Sequence, residues 1–180
     1  EVKEKPTHIV VLDRTLFYPE GGGQLGDQGL FSINSEESIK VLDTKIEEGV
    51  IIHFTDGELS TGLINAEVNR IRRTQLMDHH TAVHIVGGAA RDILGPHIRQ
   101  AGSNKGEKYA RIDLTHHSRM SRDLLDIIED KANEIVQSNH HIEKIIMSRA
   151  DADAKFGFDI YQGGPPKHDI IRIIKIGNFD

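Results

Sequence analysis

The hydrophobic period of this chain changes at Arg70, and that change decides its fold class. Before Arg70 the apolar residues come in short β-branched runs. His8–Leu12 continues through Tyr18, and further strands are expected at Leu30–Ile33, Ser38–Glu47, Val50–Thr55 and Gly62–Val68. Turn signals separate them at Asn34-Ser35-Glu36-Glu37, Glu48-Gly49 and Asp56-Gly57-Glu58. Close-spaced strands without a helical period predict a small barrel or sandwich over residues 1–70.

After Arg70 the spacing becomes helical. Leu76, Val83, Val86, Ala90 and Ile93 or Leu94 recur at steps of three and four, predicting a helix over 72–94 that ends at Gly95-Pro96. His97–Gly102 and Lys108–Leu114 alternate like a hairpin around Ser103-Asn104-Lys105-Gly106. Ser121 opens a second helix that runs to about Asn139, with Leu124, Leu125, Ile128, Ala132, Ile135 and Val136 on its buried side. A strand over Ile142–Ser148, a short helix within 149–158, the loop Gln162-Gly163-Gly164-Pro165-Pro166 and a strand over 169–176 follow. Residues 71–180 therefore read as an α+β unit, two long helices on an antiparallel sheet.

Composition narrows the function classes. The 180 residues can bury a core without staples, and there is no cysteine. Neither a signal peptide nor a membrane span is legible, so a soluble, cytoplasmic protein is the expectation. The chain starts at Glu1 and stops at Asp180 just after an apolar run, which reads as a piece of something longer. A net charge of −6 argues against holding nucleic acid by bulk charge alone. Residues 1–70 carry six basic and thirteen acidic side chains, residues 71–180 sixteen and fifteen, so a polyanion is expected to meet the second part.

Three features bear on chemistry. His80 and His84 stand four apart on the predicted first helix, which lets both imidazoles reach one divalent ion. Gly87 and Gly88 leave room beside them, but the pair equally suits histidines capping the edge of a core. A tetrahedral site needs more ligands, for which His97, His116, His117 and Asp113 are candidates without a compelling spacing. Six of the eleven histidines fall in the adjacent pairs His79-His80, His116-His117 and His140-His141, and chance clustering accounts well for the last two.

The second feature is Pro19–Gly29, with five glycines in eleven residues. It is either a plain turn or an anion-binding nest, and Gln24 adds an amide among residues without side chains. The third is Gln100-Ala101-Gly102-Ser103 with Arg111-Ile112-Asp113. Arg111 and Asp113 share a strand face and read as an ordinary salt bridge, while Gln100 and Ser103 stay open.

Taken together and in order, Asp13-Arg14-Thr15-Leu16-Phe17-Tyr18-Pro19-Glu20-Gly21-Gly22-Gly23-Gln24 with Asp27 and Gly29, His80-Thr81-Ala82-Val83-His84, Gln100-Ala101-Gly102-Ser103 and Arg111-Ile112-Asp113 resemble the editing domain of alanyl-tRNA synthetases. The free-standing AlaX trans-editing proteins share the pattern. Tyr161–Pro166 followed by Ile171–Ile176 looks like the archaeal type of the synthetase.

The resemblance implies a β-barrel-like glycine-rich subdomain over 1–70 followed by an α+β editing core over 71–180. It implies hydrolysis of serine or glycine from the terminal adenosine of tRNA(Ala), with the tRNA acceptor end and the synthetase core domains as partners. It also implies zinc held by His80 and His84, with a cysteine and a histidine of a C-x-x-x-H segment expected beyond Asp180. In the family pattern Gln24 positions the aminoacyl group beside Gly22 and Gly23, Thr15 senses a substrate hydroxyl, and Gln100 and Ser103 join the substrate site. A non-catalytic tRNA-binding module, an AlaX-type protein and a metallohydrolase of small esters are the alternatives.

Overall fold

A computed structural model describes residues 5–33, 38–161 and 168–177. The expected turn at Asn34–Glu37, the loop Gln162–Pro166 and the terminal Asn178–Asp180 lie outside them. The fold is α+β, and the chain divides into two compact units. One comprises Glu1–His80 with Asn104–Ala110, the other Thr81–Ser103 with Arg111–Asp180.

In the first unit β1 (His8–Val11), β2 (Gly29–Ser32), β3 (Ser38–Glu47), β4 (Val50–Thr55) and β5 (Asn65–Val68) form one antiparallel sheet in the order β1-β4-β3-β2-β5. The Glu48-Gly49 signal holds. Glu47 pairs with Val50, and the two loop residues take positive φ of 50° and 85°, as a type I′ hairpin requires. At Leu42 the register of β3 against β4 slips by one residue, a β-bulge, and Gln28 Nε2 donates to the Leu42 carbonyl at 2.8 Å. Phe17, Phe31 and Val41 form the buried core, with Val10, Leu12, Leu59, Ile64 and Val68 packed against it.

The expected closure into a barrel or sandwich does not form among the described residues. The sheet is open, with the four-residue strands β1 and β5 at its edges. The extension through Tyr18 leaves the ladder: Phe17 N–H donates to the Thr15 hydroxyl at 3.1 Å and Tyr18 N–H to the Asp27 carboxylate at 2.7 Å. Side chains thus take the hydrogen bonds a neighbouring strand would have supplied.

Helix α1 spans Arg70–Leu94 and starts two residues earlier than its apolar period suggests. Asn69 caps it, its side-chain oxygen accepting from Arg72 N–H at 3.1 Å. In the second unit β6 (Gln100–Lys105) pairs with β7 (Ala110–Leu114), the tip of this hairpin belonging to the first unit. Then come α2 (Arg122–Gln137), β8 (Ile142–Ser148), α3 (Arg149–Phe156), a 3₁₀ turn (Phe158–Ile160) and β9 (Ile170–Ile176), antiparallel to β8. Ser121 and Ser148 cap α2 and α3 by accepting from Leu124 N–H and Asp151 N–H. Ile85, Ala89, Ala90, Ile98, Ile128, Ala132, Ile135 and Ile176 form the core.

The single sheet expected under the helices is instead two separate two-stranded ladders among the described residues. No described helix is long and apolar enough to cross a membrane.

Candidate functional site

The glycine-rich loop is a tight turn with a built support, all within the first unit. Gly21 and Gln24 exchange backbone hydrogen bonds of 3.1 and 3.0 Å around Gly22 and Gly23, whose φ values of 59° and 76° only glycine adopts freely. Lys105 fixes the outside of the turn. Its backbone N–H donates to Gly23 O at 2.8 Å, its carbonyl accepts from Leu25 N–H at 3.4 Å, and its ammonium donates to Gly22 O at 2.6 Å. Only 2% of Lys105 is exposed, and burial pushes its ammonium below the ordinary 10.5. This pairing carries β6 through Lys105, so the hairpin turn expected at 103–106 sits later and closes with Gly106 N–H on Tyr109 O.

Two guanidiniums from the first turn of α1 hold the other side of the loop. Arg72 donates to Gly26 O at 3.0 Å and pairs with Glu107. Arg73 grips Asp27, which is 1% exposed, through Nε at 2.8 and 2.7 Å and through Nη2, and donates to Leu16 O at 2.7 Å. The Asp27 hydrogen bond pushes Arg73 above its ordinary range. Thr44 presses on the loop from β3, and a Cβ on Gly26 would lie 2.1 Å from its carbonyl oxygen.

Gln24 lies against the helix. His80 Nδ1–H donates to Gln24 Oε1 at 2.9 Å, which places the lone pair of the neutral ring on Nε2 and fixes the orientation of the amide. A Cβ on Gly22 would come within 3.5 Å of His80 Cε1 and 3.9 Å of Nε2, so the turn backbone runs close beside that ring edge. Its neighbour His79 faces elsewhere, donating from Nδ1 to Gly106 O at 2.6 Å.

Thr15 is bonded to His53. His53 is fully buried on β4, its ring edge-on to Phe17 and Phe31 with centroids 5.4 and 5.2 Å away. Burial pushes its pKa below the ordinary 6.5, against a smaller opposing effect of its backbone hydrogen bond to Val10. That bond, 3.1 Å from Nδ1 to Val10 O, puts the proton on Nδ1. Nε2 therefore accepts from the Thr15 hydroxyl at 2.9 Å, and the same hydroxyl accepts from Phe17 N–H at 3.1 Å. The Thr15 proton is spent on His53, and one oxygen lone pair remains to receive a donor.

Of the remaining sequence candidates, His84 follows His80 by four residues on the continuous α1 and is half-buried in the second unit. Also in the second unit, Gln100 Nε2 donates to Ser103 Oγ at 3.2 Å, while the buried Gln100 Oε1 has no hydrogen-bond partner among the described residues. Arg111 and Asp113 form the expected salt bridge at 3.2 Å, largely exposed. His97, His116 and His117 gather with one another. Sequence reasoning missed Arg72, Arg73, Lys105 and His53. All act through partners more than thirty residues away, and a lysine before a glycine carries a turn signal rather than a burial signal.

A family model described as tRNA synthetases class II (A) matches residues 1–72. The alanine–tRNA ligase of Natronomonas pharaonis is 45% identical over 169 residues, covering 93% of this chain and 18% of that protein. That of Haloquadratum walsbyi is 45% identical over 170 residues, 94% of this chain and 18% of the protein. That of Metallosphaera sedula is 40% identical over 174 residues, 95% and 19% respectively. The chain is homologous to a segment of alanine–tRNA ligases. It spans less than a fifth of the length of these relatives.

Proposed function

We propose that this chain is the editing segment of an archaeal-type alanine–tRNA ligase, hydrolysing the ester that joins serine or glycine to the terminal adenosine of tRNA(Ala). The observation that carries the reading is the 2.9 Å hydrogen bond from His80 Nδ1 to Gln24 Oε1. It joins the glycine turn to the histidine helix, and a single ester has to touch both.

The His80 ring suits the zinc that this reading calls for. A metal-bound imidazole characteristically donates its other ring N–H to an oxygen acceptor, as His80 does to Gln24. His80 and His84 would hold the ion from adjacent turns of α1, and since the chain has no cysteine the pair is half of the expected tetrahedral set. When bound, Zn²⁺ would supply Lewis-acid polarisation and orientation of the substrate.

The chain's own groups do the positioning. Gln24 spends Oε1 on His80, and its amide nitrogen then serves the aminoacyl group. Lys105 and Arg73 keep the turn from drifting, through Gly22 O and Asp27. Thr15, left with one lone pair, accepts a hydrogen bond from the serine hydroxyl, which alanine lacks. Gln100 and Ser103 are further substrate contacts in this reading.

The test is hydrolysis of Ser-tRNA(Ala) by the full-length ligase with zinc present. Gln24→Ala should cost about 10–100-fold, the usual loss when a metal ligand's partner is removed, and His80→Ala at least as much. Unchanged hydrolysis in both variants would sink the proposal, and would leave a non-catalytic tRNA-binding module as the better reading.

A further inference from the structure

The second unit holds a histidine cluster that the editing reading does not use. His97 follows α1 by three residues, after Gly95 turns the chain at φ 103°. Gly95 N–H closes on Arg91 O at 2.8 Å and Ile98 N–H on Gly95 O at 3.2 Å, with Ile98 buried in the core, so the position of His97 is fixed from both sides. His116 and His117 follow the end of β7, where the chain bends.

Thr115 ties the two segments together without using an imidazole. Its hydroxyl donates to His97 O at 2.7 Å and accepts from Arg99 N–H at 2.8 Å, and its backbone N–H donates to Arg99 O at 2.9 Å. Rings carried on this frame meet in a small space. The centroids of His116 and His117 are 4.3 Å apart, those of His97 and His116 5.2 Å, and those of His97 and His117 5.9 Å.

We propose that His97, His116 and His117 form a divalent-metal site of the zinc class, separate from His80 and His84. One nitrogen from each ring lies within 4.8 Å of the other two, and His97 Nε2 stands 3.0 Å from His116 Nδ1. Zinc bonded to imidazoles at about 2.0–2.1 Å in a tetrahedron has its ligand nitrogens about 3.3 Å apart. The closest pair is therefore already near that edge, and the third ring needs only to turn about its side-chain torsions.

The donor set contains neither thiolate nor carboxylate. Three neutral imidazoles select Zn²⁺ and its later first-row neighbours over Mg²⁺ or Ca²⁺, and leave a fourth position for water or a small ligand. A bound ion would also fasten the segment after α1 to the segment after β7, adding stability in proportion to its occupancy.

The test is calorimetric titration of Zn²⁺ into the chain carrying His80→Ala and His84→Ala, which removes the ligands of the editing proposal. One equivalent should bind, and adding His97→Ala, His116→Ala or His117→Ala should each weaken it at least tenfold. His140→Ala with His141→Ala, another adjacent pair, should leave it unchanged. Absence of binding, or affinity indifferent to His116→Ala, overturns the site, since a bare His97–His116 hydrogen bond then accounts for the cluster. If the His80/His84 double variant does not fold, Co²⁺ added to the unmodified chain keeps the question decidable. Ring protons of His97, His116 and His117 should broaden together in the NMR spectrum, and broadening confined to other histidines counts against the site. Loss of editing activity elsewhere leaves either result intact.

Discussion

The glycine turn of the first unit and the histidine cluster of the second bring polar side chains together by opposite means. Around Gln24 the scaffold is charged and buried. Asp27 and Lys105 are almost wholly inaccessible; Arg73 and the Tyr18 amide satisfy the first, and the Gly22 carbonyl receives the second. Around His97, His116 and His117 the rings are partly or fully exposed, and one threonine hydroxyl with two backbone hydrogen bonds sets the frame. The first arrangement is preorganised at the cost of burying charge, so removing one partner is expensive. The second stores little energy of its own and gains it only when something binds.

That contrast is open to experiment, and the largest effect is expected in the first unit. Asp27→Ala strands Arg73 and the Tyr18 amide and should lower unfolding free energy by about 3–5 kcal/mol, read from urea denaturation. Gly26→Ala forces a Cβ into the Thr44 carbonyl and should cost about 3 kcal/mol. If either costs less than about 1 kcal/mol, the scale of an exposed site, the first region is not the preorganised one. Thr115→Val in the second unit removes a hydroxyl with two partners and should cost about 1 kcal/mol, with a parallel weakening of zinc binding. Arg111→Ala, at an exposed salt bridge, should cost no more than about 0.5 kcal/mol.

His53 gives a pH signature to the first unit. Burial favours its neutral ring, so the unfolded chain takes up a proton before the folded one does as the solution is acidified. The stability it contributes is complete above its ordinary 6.5 and is lost as pH falls below that value toward its lower folded pKa. Urea midpoints should therefore fall more steeply between about pH 7.5 and about pH 5.5 in the parent than in His53→Phe. Equal slopes would mean that the ring protonates without penalty.

Local chemistry was legible in the sequence, and distant pairing was not. Ser38–Glu47 and Val50–Thr55 fall where alternation and the Glu48-Gly49 turn put them, and Ser121 caps α2 as its position before an apolar period suggests. Ile142–Ser148 is likewise a strand over its expected bounds. The openness of the first sheet was hidden, because Thr15 and Asp27 capture backbone amides that the run His8–Tyr18 seemed free to offer a neighbouring strand. Asn69 was visible as a cap in hindsight, one residue before the helix starts. The burial of Lys105 had no local signal, since its partners are the carbonyl of Gly22 and the backbone of Gly23 and Leu25, some eighty residues earlier.

In the proposed site, the His53–Thr15 hydrogen bond gives the Thr15 oxygen a polarity. A hydroxyl whose proton is engaged by His53 can accept a hydrogen bond but not donate one, so under the proposal the site would distinguish donors from acceptors rather than large side chains from small. Methylating the serine oxygen would keep the atom and remove the proton. A tRNA charged with O-methylserine should then pass the Thr15 checkpoint no better than one charged with alanine, although its side chain is the bulkier of the two.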